Sequence, residues 1–227
     1  MKGLDTMPLV VEYQQMILHP YRAVYWQREN LLLVSDLHLG KIDHFRQAGI
    51  YVPSYASMDN YERLSSLLLE FQPKTLLILG DLFHSDYNYD WKHFSDLRQT
   101  FKEIRFTLVQ GNHDILEKDL FLVNDIGVYP KYKRIPPFIF SHHPIDENQG
   151  GYNIAGHLHP GVRLIGDSKQ NLKLPCFYFG KEKGILPAFG TFTGISLVYP
   201  KEEDQVVVIT QDGLISVSNN SPYEQQH

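Results

Sequence analysis

One cysteine, Cys176, is all the thiol this chain holds, so it can build neither an internal disulfide framework nor a thiolate-rich zinc site. It stands in Leu174-Pro175-Cys176-Phe177-Tyr178-Phe179, an apolar run where a buried, inert thiol is expected. Nowhere do the ~18 consecutive apolar residues of a membrane-spanning helix occur, and Met1-Lys2-Gly3-Leu4-Asp5-Thr6 lacks the apolar region of a signal peptide, which reads as a soluble, cytoplasmic protein. Excess positive charge is missing too. With 21 Lys and Arg against 26 Asp and Glu, the net charge of -5 argues against a dedicated nucleic-acid-binding module and leaves such contacts to a local patch or to bound cations. No internal repeat is visible. What is present is ordinary globular material, 43% hydrophobic and 21% charged, in 227 residues. We expect one domain over 1–227, with N-terminal strands in 1–30 and a flexible polar tail over 218–227.

Along the chain, residues 9 to 18 read as a strand or hairpin and Tyr21 to Trp26 as a second short strand. Leu31-Leu32-Leu33-Val34 is a fully buried strand in character and runs into Ser35-Asp36-Leu37-His38. Tyr61, Leu64, Leu67, Leu68 and Phe71 recur at three and four, so the spacing predicts a helix from Met58 to Phe71, ended by Pro73. Thr75 to Leu79 is the next buried strand, and strand, helix, strand predicts a right-handed crossover with a parallel pair. A helix over Trp91 to Phe101 and a strand over Ile104 to Val109 repeat the pattern. Short strands follow over Pro137 to Phe140, Tyr152 to Ala155, Gly194 to Tyr199, Gln205 to Thr210 and Leu214 to Val217. The expected class is α/β with two mixed sheets flanked by helices.

Metal-competent side chains fall at the strand ends: Asp36 and His38, Asp81, Asn112 and His113, His142, then His157 and His159. Ligands of open α/β sheets bind at the carboxyl ends of strands, so these residues should converge. Taken singly, Asp81 could cap a helix, Asn112 could sit in a tight turn after Gly111, and His142 could be a core histidine. Their coincidence at five strand ends favours one site. Imidazoles, carboxylates and an amide oxygen without thiolate suit Mn²⁺, Fe²⁺ or Zn²⁺ better than Ca²⁺. So many candidates exceed one tetrahedral shell and suit two ions ~3.5 to 4 Å apart, a geometry for in-line phosphoryl displacement.

Asp36-Leu37-His38, Gly80-Asp81, Gly111-Asn112-His113-Asp114, His142-His143-Pro144 and Gly156-His157-Leu158-His159 together resemble the ordered motif set of the calcineurin-like metallophosphoesterases. The resemblance implies that family's four-layer sandwich and two divalent ions, Mn²⁺ first, with Fe or Zn as alternatives. It implies one ion held by Asp36, His38, Asp81 and His159, a second by Asp81, Asn112, His142 and His157, and Asp81 bridging. His142 is preferred to His143 because the family's ligand lies two residues before the proline. His113 resembles the catalytic histidine that contacts the substrate phosphate and assists the leaving oxygen, with Asp114 orienting its ring.

A narrower likeness covers the chain from about Trp26 to Gly194. Asp36-Leu37-His38-Leu39-Gly40-Lys41 with His44-Phe45-Arg46, Gly80-Asp81-Leu82-Phe83-His84-Ser85 with Asn88 and Trp91, Gly156 to Gly161 with Arg163, and Leu186-Pro187-Ala188-Phe189-Gly190 resemble the ligase-associated DNA damage response endonucleases, the PdeM-type phosphoesterases. That resemblance implies a phosphodiester substrate in DNA repair and association with a DNA ligase and a helicase. Lys41, Arg46, His84 and Arg163 are candidate phosphate contacts, although Lys41 and Arg46 could be solvated loop charges and Arg163 could serve an intramolecular partner. Asn88 and Trp91 are expected at a rim or subunit contact, and the Leu186 to Gly190 run against the second sheet. A phosphoesterase for nucleotides or other small esters, and a non-catalytic scaffold, are the competing readings.

Overall fold

Each buried strand feeds two cores at once, because successive side chains point to opposite faces. In β4 (Leu31–Ser35), Leu32 and Val34 face a helix-side core while Leu31 and Leu33 face a core between two sheets. Leu76 and Ile78 divide from Leu77 and Leu79 in the same way on β5 (Thr75–Leu79). A strand buried on both faces loses the polar alternation of a half-buried strand, which accounts for its continuous apolar sequence. The computed structural model describes residues 5–41, 49, 55–83, 89–114, 118–145, 150–165, 171–191 and 193–217.

The first sheet contains, in order, β1 (Met7–Val11), β2 (Gln14–His19), β3 (Ala23–Trp26), β4, β5, β6 (Arg105–Val109) and β7 (Ile126–Tyr129). β1 to β4 pair antiparallel, and β4 to β7 pair parallel. The helices α1 (Tyr55–Phe71), α2 (Tyr89–Thr100) and α3 (Lys118–Val123) supply Leu64, Leu67, Leu68, Phe94 and Phe121 to the helix-side core. Trp91 lies in that core beside Phe83 and Phe121, 5% exposed, which corrects the expectation of a rim residue.

The second sheet holds β8 (Tyr132–Ile135), β9 (Phe138–Ser141), β10 (Tyr152–Ala155), β11 (Pro160–Ile165), β12 (Asn171–Phe179), β13 (Lys183–Ile185), β14 (Ser196–Leu197), β15 (Gln205–Ile209) and β16 (Leu214–Val217). β9, β10 and β13 run parallel, whereas β8 and β12 add antiparallel. Phe138, Phe140, Ile154, Phe177 and Phe179 meet Leu31, Leu33, Leu77 and Leu79 between the sheets. The architecture is therefore α/β with two mixed sheets face to face. Val162, Cys176, Val206 and Val208 form a smaller cluster of their own, to which no described helix contributes. Burial pushes the Cys176 thiol up to about 12, so it is inert as expected. The tail over 218–227 lies outside the described residues. No described helix is long and apolar enough to cross a membrane.

Candidate metal centre

Parallel strands in two sheets bring their carboxyl ends to one locus. β4 delivers Asp36 and His38, β5 Asp81, β6 Asn112, β9 His142 and β10 His157 and His159. Backbone hydrogen bonds lock these ends together: Asp36 N–H to Gly80 O at 3.1 Å, His38 N–H to Asp81 O at 2.9 Å, and Gly156 N–H to His142 O at 3.1 Å. The sheets are also tied through a carboxylate, since Asp36 Oδ2 accepts the His157 N–H at 3.0 Å.

Five of the expected ligands sit in the left-handed region: Asp36 (φ 51°), His38 (47°), Asp81 (50°), His157 (65°) and His159 (47°). Such strain costs a residue with a Cβ about 1–3 kcal/mol, and it persists where surrounding structure over-determines it. It turns each side chain back from its strand toward the common centre. Room there comes from glycine. A Cβ on Gly80 would collide with the His142 ring, one on Gly111 with the Asp81 carboxylate, and one on Gly156 would lie 2.5 Å from Asp36 Oδ2.

Asp36, His38 and His159 offer ligand atoms within 4.8 Å of one another, and so do Asp36, Asp81 and His142. Asp81 lies between two sets of imidazoles, with Oδ2 3.8 Å from His38 Nε2 and Oδ1 3.5 Å from His142 Nε2. The donor chemistry fits cations. His142 Nδ1 lies 3.1 Å from the Leu79 carbonyl, a contact that places a proton on Nδ1 and, in the neutral ring, leaves Nε2 free to bind a metal. Nε2 lies 3.0 Å from Asn112 Oδ1 and 3.1 Å from His157 Nδ1, and in the neutral Nδ1–H tautomer these atoms form a cluster of lone pairs suited to a cation. Asp36 Oδ1, fully buried, has no hydrogen-bond donor and faces His159 Nε2 at 3.3 Å. Burial raises the Asp36 pKa, but the His159 and His142 imidazoles and the His157 N–H more than offset this, holding it below the usual carboxylate range. Burial chiefly lowers the His157 pKa, with the neighbouring imidazoles of His143 and His142 adding to it, which keeps a nitrogen lone pair available.

Of the adjacent pair, His142 is 1% exposed and points its Nε2 inward, while His143 is exposed and packs its ring 3.9 Å from that of His157. His113 is half-buried, its ring centroid 5.5 Å from that of His38, and its backbone N–H donates to Asp81 Oδ1 at 2.9 Å. The Asp114 carboxylate accepts the N–H groups of Leu82 (2.9 Å) and Gly111 (2.8 Å), joining the β5 and β6 loops. Burial lifts its pKa to about 6 against these N–H groups, with the Asp81 charge pushing the same way.

Lys41 stands next to the site, half-buried, with burial lowering its pKa and the Asp81 charge opposing. Arg46 and His84 lie outside the described residues, as do His44 and Asn88. Arg163 lies on β11 opposite Lys173, four residues past His159, and its Nε is buried. No described contact joins it to the cluster.

The segment 186–190, expected against the second sheet, reaches further. Instead of lining the second sheet alone, it crosses between the sheets: Leu186 N–H bonds Ala155 O at 2.8 Å, Phe189 N–H bonds Ser35 O at 2.8 Å, and Gly190 N–H bonds Asp36 O at 3.0 Å. Phe189 sits in the helix-side core. Two arginines hold this segment. Arg22 Nη1 donates to Ala188 O and Gly190 O, both at 2.9 Å, and Arg63 Nη2 donates to Phe189 O at 2.9 Å. Their dispersed positions carry no local motif, which is why neither arginine stood out.

Residues 30–209 match the family model described as calcineurin-like phosphoesterase, a span that takes in all seven converging side chains. The chain belongs to the calcineurin-like phosphoesterases. Within this family its structure is similar to that of the Pseudomonas putida nuclease MPE, with a TM-score of 0.80 and 29% identity over 94% of this chain and 100% of that one. A protein of unknown function from Aquifex aeolicus, AQ665, shares 19% identity over 57% of this chain and 78% of its own, with a TM-score of 0.42. No curated protein matches. As a member of the phosphoesterase family the protein is a hydrolase, and its buried His/Asp clusters could hold metal ions.

Proposed function

We propose that this phosphoesterase is a dinuclear enzyme that hydrolyses phosphodiester bonds in nucleic acid, acting in DNA repair in the cytoplasm. The likeness to the P. putida nuclease across nearly the whole of both chains carries the reading of substrate. Asp36, His38, Asp81 and His159 would hold one divalent ion, and Asp81, Asn112, His142 and His157 the other. The convergence of lone pairs around His142 Nε2 and Asp36 Oδ1 supports this assignment. When bound, the ions, Mn²⁺ in this reading, supply Lewis acidity toward phosphoryl oxygens and lower the pKa of a water.

The remaining work falls to this chain's own side chains. Asp81, with one oxygen toward each imidazole set, would offset the charge of both ions. His113 stands next to His38 and donates a proton to the leaving oxygen, help worth about 10²- to 10⁴-fold. Lys41 neutralises a phosphate oxygen. Association with a DNA ligase and a helicase follows from the subgroup resemblance alone.

The test compares circular single-stranded DNA, bis-p-nitrophenyl phosphate, p-nitrophenyl phosphate and cyclic nucleotides in Mn²⁺, with Asp81→Asn as the control. Opening of the circle well above the Asp81→Asn background is expected. Turnover confined to small esters would replace the nuclease with the small-ester reading that the net charge of -5 favours, and no metal-dependent turnover at all would leave a scaffold.

A further inference from the structure

The segment Tyr129-Pro130-Lys131-Tyr132-Lys133-Arg134 alternates aromatic and basic residues in a chain that is acidic overall. From residue 126 to residue 145 there is no aspartate or glutamate. Both ends of the segment are fixed by sheet register beside the metal centre. Tyr129 is paired with Val109, its carbonyl accepting the Gln110 N–H at 2.9 Å, immediately before the Gly111-Asn112 turn. Tyr132 is paired with Ser141, the residue before His142. The segment thus passes from the edge of the first sheet to the edge of the second at the level of the candidate ligands.

Lys131 and Tyr132 line a cleft of about 300 Å³ together with His142, His143 and Pro144. Tyr129 and Tyr132 remain 37% and 38% exposed. Each carries a cation on its ring: Lys133 Nζ lies 3.9 Å from the Tyr129 centroid and Arg134 Cζ 5.2 Å from that of Tyr132. Edge strands often carry lysine to block strand addition, but that purpose calls for charge and not for two exposed tyrosines bordering a metal cleft. Aromatic faces interleaved with cations are the means by which proteins hold unpaired nucleotides, bases stacking on the rings and phosphates meeting the charges.

We propose that Tyr129 to Arg134 is a docking strip for single-stranded nucleic acid, leading the strand through the cleft between Tyr132 and His143 to the metal centre. The proposal rests on the nuclease reading above and adds where the strand lies. Tyr132 stacks a base flanking the scissile phosphate, while Lys131 and Lys133 meet neighbouring phosphates. Paired bases cannot stack on a tyrosine without leaving their own stack, so the strip favours single strands over duplex.

The test uses the Mn²⁺-loaded full chain with a short mixed-sequence single-stranded DNA, the same DNA as a duplex, and bis-p-nitrophenyl phosphate. Variants are Tyr132→Ala, Tyr132→Phe, Lys131→Glu and Lys133→Glu. For Tyr132→Ala, the ratio of kcat/KM on the single strand to that on the small diester should fall about tenfold, the effect lying in KM, and Tyr132→Phe should restore it. Each lysine variant should flatten the salt dependence of single-strand binding, by about 0.7 in the log–log slope for every phosphate no longer neutralised. An unchanged ratio and slope in all variants of an enzyme that cuts DNA would overturn the strip and leave the nuclease reading standing. Equal loss on both substrates would do the same, showing only a packing role. A wild-type enzyme that turns over the small diester and neither binds nor cuts the single strand would overturn both.

Discussion

Gly156→Ala tests the geometry of the centre without removing any of its side chains. The new methyl would lie 2.5 Å from Asp36 Oδ2, 2.8 Å from Ser35 Cβ and 3.0 Å from the Leu79 carbonyl oxygen. The carbonyl belongs to β5, which is hydrogen-bonded on both sides and cannot recede. Relief must come from the adjoining Ser35 and Asp36, and the Asp36 carboxylate has to move from 2.5 Å to the 3.4 Å of ordinary contact, about 0.9 Å. That breaks its bond from the His157 N–H and takes Oδ1 away from His159. Overpacking of this kind costs about 1–3 kcal/mol, a fall in Tm of about 2–12 °C for a chain of this size. A displacement near 1 Å in a catalytic constellation costs on the order of 10²-fold in rate. Diester turnover, Mn²⁺ per chain by elemental analysis and Tm should be measured beside Gly194→Ala, whose new methyl would meet nothing within 4 Å. Gly156→Ala with full turnover and full metal content would refute the placement of Asp36.

Arg22→Leu should leave the carbonyls of Ala188 and Gly190 without their donor, lowering stability by about 3 kcal/mol and weakening Mn²⁺ binding through Asp36, as calorimetric titration would read. His19, 2% exposed, accepts the Tyr21 N–H on Nδ1 at 3.0 Å, and burial lowers its pKa to about 4. The unfolded chain therefore binds a proton near pH 6.5 that the folded chain refuses until about pH 4, so stability falls with acidification across that window, by about 3 kcal/mol in full. Denaturant unfolding at pH 7 and pH 4.5 should show a drop about 2–3 kcal/mol smaller in His19→Gln than in wild type; equal drops would refute it. His113→Ala should keep its metal content and lose about 10²- to 10⁴-fold in turnover, and unchanged activity would remove His113 from the chemistry.

The two-sheet α/β fold and the convergence of its polar residues were legible because burial on both faces leaves a short, uninterrupted apolar run. The runs at Leu31, Thr75 and Ile104 each stop where the polar residues begin. Edge elements left weaker marks. β8, Tyr132–Ile135, offers Ile135 as its one aliphatic residue beside Lys133 and Arg134, and in β12 Pro175 hides a strand that changes partner beyond it, from β11 to β13 and β15. The left-handed backbone at Asp36, His38, Asp81, His157 and His159 left only a weak mark, since Asp and His are enriched at positive φ but most of them adopt ordinary backbone, and here tertiary packing imposes the conformation. Trp91 reads as a rim aromatic beside a polar loop, yet the turn of α2 carries it into the core. The arginine clamp on 186–190 joins residues more than a hundred positions apart, beyond the reach of any local pattern.

The most direct test of two ions bridged by Asp81 is anomalous diffraction from crystals of the Mn²⁺-loaded protein, recorded at the manganese edge. Two peaks about 4 Å apart are expected, one against Asp36, His38 and His159, the other against Asn112, His142 and His157, with an Asp81 oxygen on each. A single peak in a fully active enzyme, or two peaks without Asp81 between them, would contradict the account.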